Sequence, residues 1–383
     1  METVKLYYED SFIREFTAKV VSCEQRDGKW AVILDQTAFY PEGGGQACDF
    51  GKLGNANVLD VREHGDQIVH LCDLPLEAGT TVSGSLDWDR RLDQMQQHSG
   101  EHIVSGLLCC RFQCHNVGFH VGADTVTIDF DAPIPADALQ EIEQEANRAI
   151  WKNLPFRCWY PSPEELEKLP YRSKKALPWP VRIVDAGGYD LCACCGVHVK
   201  YTGSIGCIKL LSCVKFHQGV RIEMVCGNRA LTLFGDVYEQ NRLVSQTFSA
   251  KILETGEAAR KTNEALAAEK FRSAGLEKKL FAMIAESYRD AGDTLVFEPD
   301  LSPAAIRELA DAIAQVCGGT AGVFSGCDEN GYNVCLCSRT DDLRQLGKDM
   351  NNALQGRGGG KPGFFQGSVK ATKSQIQAFF AER

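Results

Sequence analysis

Long apolar runs, internal repeats and low-complexity tracts are all missing from this chain of 383 residues. No uninterrupted apolar segment approaches the roughly 18 residues that a membrane-spanning helix needs, which excludes a bilayer-spanning protein. The first ten residues are acidic where a secretory signal would be basic and then apolar, so we expect a cytoplasmic protein. With 44% hydrophobic and 24% charged residues, the composition also excludes disordered and fibrous classes.

An overall excess of positive charge is missing too. The chain has 41 Lys and Arg against 51 Asp and Glu, a formal net charge of −10, which excludes a protein that coats nucleic acid through its overall charge. The balance reverses locally, since positions 339–383 hold eight Lys or Arg against four acidic residues. The 17 cysteines are spread along the chain without an export signal, so we expect metal ligands or reduced thiols rather than a disulfide scaffold.

Hydrophobic patterning changes along the chain and predicts an α+β, multidomain protein. Short β-type runs alternate with turn signals over 1–88, which predicts a β-barrel. Helical spacing begins at Arg91 and is followed by mixed signals, so we expect an α+β domain at 89–227. The segment 228–292 lacks turn signals and predicts one or two long helices, and 293–383 predicts an α/β domain with a glycine-rich segment.

The predicted helical segment carries an apolar stripe at Leu276, Leu280, Met283 and Ile284. Such a stripe fits two arrangements: it pairs with a second copy of the chain in a homodimer, or it docks on a neighbouring core of the same chain. The C-terminal region is a second candidate surface for a homodimer. The sequence leaves these alternatives open.

Three histidines and one cysteine stand at spacings typical of a metal site. His98 and His102 are four residues apart, which puts both imidazoles on one face of the predicted helix. Cys194 and His198 repeat this interval in a glycine-containing segment that can turn both side chains towards one point. Imidazole nitrogen and thiolate sulfur are ligands that Zn²⁺ prefers. We therefore expect one Zn²⁺ per chain at these four residues.

Two features of this predicted site stay open. Four protein ligands would close a tetrahedral site, whereas catalysis by bound water needs an open position, so His198 is either the fourth ligand or a neighbour of the substrate. Glu101 precedes His102 and is either a general base for water or an exposed glutamate on a polar helix face.

Four ordered motifs resemble one family over nearly the whole chain. The two metal-type pairs resemble the editing domain of alanyl-tRNA synthetase and its free-standing relatives, the AlaX proteins. Residues 34–46, LDQTAFYPEGGGQ, are similar to the barrel motif of that family, and residues 221–227, RIEMVCG, to the strand that closes its editing domain. Residues 356–362, GRGGGKP, are similar to the glycine-rich signature of the synthetase's C-terminal domain. The arrangement resembles the long form of AlaX.

This resemblance implies an enzyme that removes serine, or glycine, from wrongly charged tRNA(Ala) in trans. A zinc-containing editing domain would follow the barrel directly. Residues 1–88 leave no room for an adenylate-forming domain, so the reaction would be independent of ATP. An alanine pocket cannot strongly reject glycine, whose missing methyl group is worth only about 1–3 kcal/mol, and it cannot strongly reject serine, which only adds a hydroxyl group. A second site that hydrolyses the seryl and glycyl esters would therefore correct the errors of the alanine pocket.

The resemblance also implies roles for single residues. Thr37 would contact the serine hydroxyl and so contribute to catalysis; the alternative is an ordinary threonine at the end of a strand. The loop 356–363 would hold phosphate through its backbone N–H groups, and the alternative is a simple surface turn. The residues implied at substrate or tRNA are Thr37, Gly43, Gly44, Gly45, Gln46, Arg357 and Lys361.

The chain departs from the family at the cysteine motif. Relatives commonly have C-G-G-T-H, whereas Cys195 and Val197 stand here in place of a glycine and the threonine, and Cys192 adds another thiol. Cys194 fits the metal spacing best. Two other functions remain as alternatives. One is a zinc metalloprotease, because H-x-x-E-H also describes a protease helix. The other is a non-catalytic tRNA-binding protein with structural zinc.

Overall fold

The computed structural model describes residues 2–173 and 179–382, and it combines helices with strands in both halves of the chain. The predicted α+β, multidomain class is confirmed. The chain divides into two units, Met1–Leu243 and Val244–Arg383. The finer division at residues 88, 227 and 292 stays a prediction. None of the helices in the described residues is long and apolar enough to span a membrane.

The first unit begins with a sheet that closes on itself. Its elements are β1 (Val4–Lys5), α1 (Leu6–Glu9), β2 (Glu15–Arg26), β3 (Lys29–Leu34), β4 (Gln36–Thr37), β5 (Gly51–Leu53), β6 (Ala56–His64), β7 (Gln67–Cys72) and β8 (Thr81–Leu86). Six strands pair in the order β2, β3, β7, β6, β5, β8, and β8 pairs again with β2. Val32, Leu34, Phe39, Leu53 and Ile68 pack in its interior.

Helix α2 (Trp88–Phe112) is the central element of the first unit. The Asp87 side chain caps its start by accepting a hydrogen bond from the backbone N–H of Arg90, and Gln113 ends it in a left-handed conformation. Every residue from Gln97 to Leu108 is buried. The helix is therefore enclosed by other elements on all sides over this length.

A buried ion pair joins α2 to the strands that precede it. The fully buried guanidinium of Arg91 binds the carboxylate of Asp49 and also donates to the backbone carbonyls of Ser11 and Ala38. A buried charge is tolerated only when it is paired and hydrogen-bonded. These contacts fix the start of α2 against the barrel.

Two sheets, one longer helix and one short helix follow α2 in the chain, and the sheets and the longer helix pack around it. These elements are β9 (Asn116–Val121), β10 (Val126–Phe130), α3 (Ala138–Trp151), β11 (Phe156–Trp159), α4 (Pro163–Leu166), β12 (Ile183–Ala186), β13 (Leu191–Ala193), β14 (Ile208–Phe216) and β15 (Gly219–Cys226). The first sheet has the strand order β14, β15, β10, β9, and the second has the order β11, β12, β13. Ile103, Leu108, Ile128 and Ile222 belong to the core that these elements share.

The second unit begins at Val244, within α5 (Gly227–Phe248). Its elements are α6 (Thr255–Glu286), β16 (Gly292–Phe297), α7 (Pro303–Ala314), β17 (Gly318–Cys327), β18 (Gly331–Ser338), α8 (Leu343–Ala353), β19 (Arg357–Lys361), β20 (Phe364–Val369) and α9 (Lys373–Ala381). The strand order is β16, β17, β18, β20, β19. Of the predicted apolar stripe, Ile284 packs against the core of this unit, whereas Leu276, Leu280 and Met283 are exposed.

The glycine-dense segment near the C-terminus is a β-hairpin, so the prediction of a loop is wrong. Strand β19 pairs antiparallel with β20 and forms the edge of the sheet. A Cβ atom on Gly358 would lie 2.5 Å from the carbonyl oxygen of Gln366, and one on Gly360 would lie 1.9 Å from that of Phe364. These positions need glycine because the neighbouring strand approaches closely.

Candidate metal centre

Helix α2 presents two imidazoles to one point. The rings of His98 and His102 are stacked with their centroids 5.3 Å apart, and each residue is only 2% exposed. The helical interval of four residues produces this arrangement, as the sequence predicts. Because α2 is enclosed along this stretch, the two side chains are held in place by packing.

The segment after β13 supplies the other two groups. The guanidinium of Arg182 donates to the backbone carbonyls of Cys194 and Gly196, both at 2.9 Å, which holds this segment in a bent shape. A Cβ atom on Gly196 would lie 2.2 Å from the His98 ring, so only glycine lets the segment come this close. The bend turns the side chains of Cys194 and His198 towards α2.

The structure brings all four predicted metal ligands together. One potential ligand atom from each of His98, His102, Cys194 and His198 lies within 4.8 Å of the others. The Cys194 sulfur is 3.4 Å from Nε2 of His98. A second group that could hold a metal, His102 with Asp190 and Cys192, shares one imidazole with the first.

In each of the three histidines the outer ring nitrogen, Nδ1, has a hydrogen-bond partner, whereas the inner nitrogen, Nε2, does not have one in every ring. The Nδ1 atoms of the three histidines pair with Gln46 Oε1 at 2.9 Å, Asp190 Oδ2 at 2.7 Å and Ser99 Oγ at 3.5 Å, in the order His98, His102, His198. The Nε2 atoms of His102 and His198 are buried without a hydrogen-bond partner. Buried nitrogens without partners are costly unless an ion binds them, and outer partners of this kind orient metal-bound histidines. The donor set therefore fits Zn²⁺.

The electrostatics of the group favour a thiolate. Burial opposes ionisation of Cys194, but the neighbouring imidazoles, His98 foremost, outweigh it and hold the pKa of the thiol well below its usual value. Burial lowers the pKa of His198 to about 3, so this ring is neutral and can donate its lone pair to an ion. At His102, burial is outweighed by the hydrogen bond to Asp190, which raises the pKa of the imidazole to about 10.

Glu101 is buried beside this group, so the alternative of an exposed glutamate is wrong. The residue is only 1% exposed, and its Oε1 accepts hydrogen bonds from Ser105 Oγ and Asn116 Nδ2. Asn116 comes from β9, and its own Oδ1 is buried without a partner. Asn116 carries no signal in the sequence, because only the tertiary structure places β9 against this part of α2.

Thr37 stands on β4 and makes its hydrogen bonds within the barrel region. Its hydroxyl bonds His70 Nε2 at 2.8 Å and accepts from the backbone N–H of Phe39 at 3.1 Å. Both hydrogen-bond partners belong to the barrel, and Thr37 is fully buried. The hydroxyl predicted to contact the substrate is thus already engaged in the barrel.

The turn after Thr37 does reach the metal centre. Gly43 and Gln46 form an isolated bridge, and Gly45 accepts a hydrogen bond from the backbone N–H of Val121. Gln46 Oε1 binds His98 and also accepts from the N–H of Val197 at 3.3 Å, while its Nε2 is buried without a partner. The turn therefore connects the barrel, α2 and the cysteine segment.

The other predicted residues lie in the second unit. Arg357 and Lys361 are exposed at the two ends of β19. Arg344, Lys348 and the glycines of β19 line a cleft of about 560 Å³ in the same unit. Arg344 and Lys348 could not be singled out from the sequence, because a cationic residue on a helix surface carries no signal of its own.

Three segments match families of known domains. Residues 3–90 match the family described as "tRNA synthetases class II (A)", and residues 181–223 match the "Threonyl and Alanyl tRNA synthetase second additional domain". Residues 290–382 match the DHHA1 domain. The segments lie in the same order as the motifs found in the sequence.

Curated relatives extend over nearly the whole chain. The alanyl-tRNA editing protein Aarsd1 of Rattus norvegicus is 30% identical over 96% of this chain and 94% of its own length. The corresponding protein of Danio rerio is 27% identical over 98% and 96%. The alanine–tRNA ligase of Pyrococcus abyssi is 30% identical over 98% of this chain but over only 43% of its own length. The chain belongs to the AlaX family of alanyl-tRNA editing proteins, in its long form.

Proposed function

We propose that this protein hydrolyses the ester bond of tRNA(Ala) wrongly charged with serine or glycine, as a free-standing cytoplasmic enzyme that needs no ATP. The observation that carries the proposal is the group of four ligand atoms with two buried, unpartnered imidazole nitrogens. Relatives named alanyl-tRNA editing proteins support the choice of tRNA(Ala). The ion that fits the donor set is Zn²⁺, one per chain.

His98, His102, Cys194 and His198 are the residues that would hold the ion. Bound Zn²⁺ can polarise an ester carbonyl or lower the pKa of water. Gln46 would bind the substrate, because its buried Nε2 is a donor without a partner and can bond the ester carbonyl oxygen. Gly43, Gly44 and Gly45 complete the turn that carries it. Glu101 would accept a proton from the attacking water, with its carboxylate oriented by Ser105 and Asn116.

Discrimination against alanine requires a polar group that serine can satisfy and alanine cannot. A buried acceptor left unpaired by alanine costs about 1–3 kcal/mol, which favours the seryl ester. Asn116 Oδ1 is such an acceptor beside Glu101, so we assign the contact with the serine hydroxyl to Asn116. Thr37, which the resemblance implies, is the second candidate. Its remaining lone pair can accept a bond, although its proton already serves His70.

The body of the tRNA would contact the second unit. Arg357 and Lys361, together with Lys348, place cations beside a strand of glycines, where phosphate can approach the backbone closely. The exposed side chains of Leu276, Leu280 and Met283 on α6 would be covered by a second copy of the chain in a homodimer. Light scattering tests the dimer. The R357Q/K361Q variant tests whether these two cations bind the tRNA, because its KM should rise and should depend less on salt concentration.

Deacylation assays test the proposal directly. The protein is incubated with seryl-, glycyl- and alanyl-tRNA(Ala), with and without a chelator. We expect cleavage of the seryl or glycyl ester, little cleavage of the alanyl ester, and loss of activity with the chelator. N116A should reduce the preference for serine over alanine by about tenfold, and T37V should leave it unchanged. E101Q should be slow with every ester.

The same assay separates the alternatives. Cleavage of casein without any deacylation would establish a metalloprotease. Binding of uncharged tRNA(Ala) without cleavage of any ester would establish a non-catalytic zinc protein. Either result rejects the proposed function.

A further inference from the structure

A groove runs along the first half of α2, on the side of the helix next to the barrel and the turn between β9 and β10. It has a volume of about 960 Å³, which is within the range of ligand sites of roughly 300–1,000 Å³. Ala47, Gln94, Val121, Gly122 and Arg229 are among its lining residues. The predicted metal ligands are not among the groove residues identified in the described part of the chain.

The groove begins beside the metal centre. Gln94 stands one helical turn before His98, and residues four apart lie on the same face of a helix. Ala47 directly follows Gln46, the residue that binds His98. The end of the groove formed by Ala47 and Gln94 is therefore next to His98, one of the four metal ligands.

Gln94 carries a polar atom that the protein leaves unsatisfied. The residue is only 4% exposed, and its Oε1 is buried without a hydrogen-bond partner. A buried amide oxygen without a partner costs about 1–3 kcal/mol, so such groups in native proteins mark strain or a missing ligand. The lining at the turn between β9 and β10 is held to α2, because Arg229 pairs with Asp93 and donates to the carbonyl of Gly122 at 2.8 Å.

We propose that this groove holds the 3′-terminal adenosine of the substrate RNA, and that the amide of Gln94 binds the edge of its adenine. The inference rests on the proposed function. The terminal ribose carries both the ester and the adenine, so an ester carbonyl at the metal centre places the adenine within about the length of one nucleoside of that centre. A glutamine amide matches adenine with two hydrogen bonds, accepting from the exocyclic N6 amine and donating to a ring nitrogen. Recognition of a free RNA end by base-edge contacts is common.

The test compares two nucleosides that differ only in the N6 amine. Adenosine and purine riboside are titrated into the full-length wild-type protein by calorimetry, a measurement that needs no turnover. We expect adenosine to bind about tenfold more tightly, the factor that one good hydrogen bond supplies. The variant Gln94→Met, which keeps the side-chain volume, should bind both nucleosides with equal, weak affinity.

Seryl esters provide the kinetic readout. The 3′-O-seryl esters of adenosine and purine riboside are compared with serine methyl ester. For wild type, KM should be about tenfold lower for the adenosine ester. Q94M should lose this difference, because its KM for the adenosine ester should rise to that for the purine riboside ester. Gln144→Met, at an exposed position of α3, is the matched control and should behave as wild type.

The outcomes separate this subsite from the proposed function. Equal binding of the two nucleosides by wild type, or no binding of adenosine, overturns the subsite even if all esters are cleaved. Adenosine binding that depends on Gln94 without cleavage of any ester supports the subsite and rejects the proposed function. Thermal unfolding shows whether Q94M is folded; the wild-type comparison of nucleosides does not depend on that variant.

Discussion

The barrel and the metal centre both bury histidine, and they use the ring differently. In the barrel, His70 Nδ1 lies 3.1 Å from the carbonyl of Val32 and must donate to it, so Nε2 accepts the hydroxyl proton of Thr37. Both nitrogens are satisfied. In the metal centre, His102 and His198 bond Nδ1 only. Burial alone therefore does not distinguish a metal-binding histidine from a structural one. The absence of a hydrogen-bond partner at Nε2 does distinguish them.

Of the changes that test this comparison, removal of the Cys194 sulfur should have the largest effect. In Cys194→Ser the centre loses its only thiolate, and we expect bound zinc to fall below detection and deacylation to drop by more than about 100-fold, since even an outer partner of a ligand is worth 10–100-fold. Metal analysis and single-turnover deacylation measure both effects. Cys192→Ser is the control. If C192S loses zinc and C194S keeps it, the sulfur is wrongly assigned.

Replacement of an outer partner should have an intermediate effect. Asp190→Asn weakens the bond that orients His102, and we expect zinc affinity to fall by about 10–100-fold. Competition with a chromogenic chelator measures the affinity. The matched control is Asp131→Asn, which removes the partner of the exposed His115 and should leave zinc affinity unchanged. Equal affinities of D190N and wild type would show that His102 needs no such support.

The barrel histidine should affect stability but not zinc. Burial lowers the pKa of His70 to about 4, whereas an unfolded chain binds a proton at this residue below pH 6.5. Folding is therefore favoured above pH 6.5 and loses about 3 kcal/mol as the pH falls from 6.5 to 4. Urea unfolding across this range should show a shallower dependence on pH for His70→Gln, at unchanged zinc content. A loss of zinc in H70Q would remove the distinction between the two kinds of histidine.

Short-range spacing is enough to predict much of the first unit. Helical periodicity predicts a helix that begins near Arg91, and α2 runs from Trp88 to Phe112. The four metal ligands are found from two intervals of four residues, because local geometry fixes each pair. The two intervals are combined on ligand chemistry rather than on local geometry, since 92 positions separate His102 from Cys194.

Long-range contacts are what the sequence does not reveal. Gln46 and Asp190 bond their histidines across 52 and 88 positions. The helix face that carries Glu101 is polar in sequence, and it is buried only because β9 and Asn116 pack against it. The glycines of β19 suggest a flexible loop, and their fit against β20 depends on a strand order that no local pattern shows.

The guanidinium of Arg91 limits how the first unit can be recombined. A transplant of α2 with its histidines into another protein would carry a buried cation whose acceptors, Asp49, Ser11 and Ala38, all belong to the preceding strands and turns. Loss of the partner of a buried charge costs about 3–5 kcal/mol, a large part of the stability of most domains. Barrel and helix must therefore be inherited, fused or exchanged as one piece.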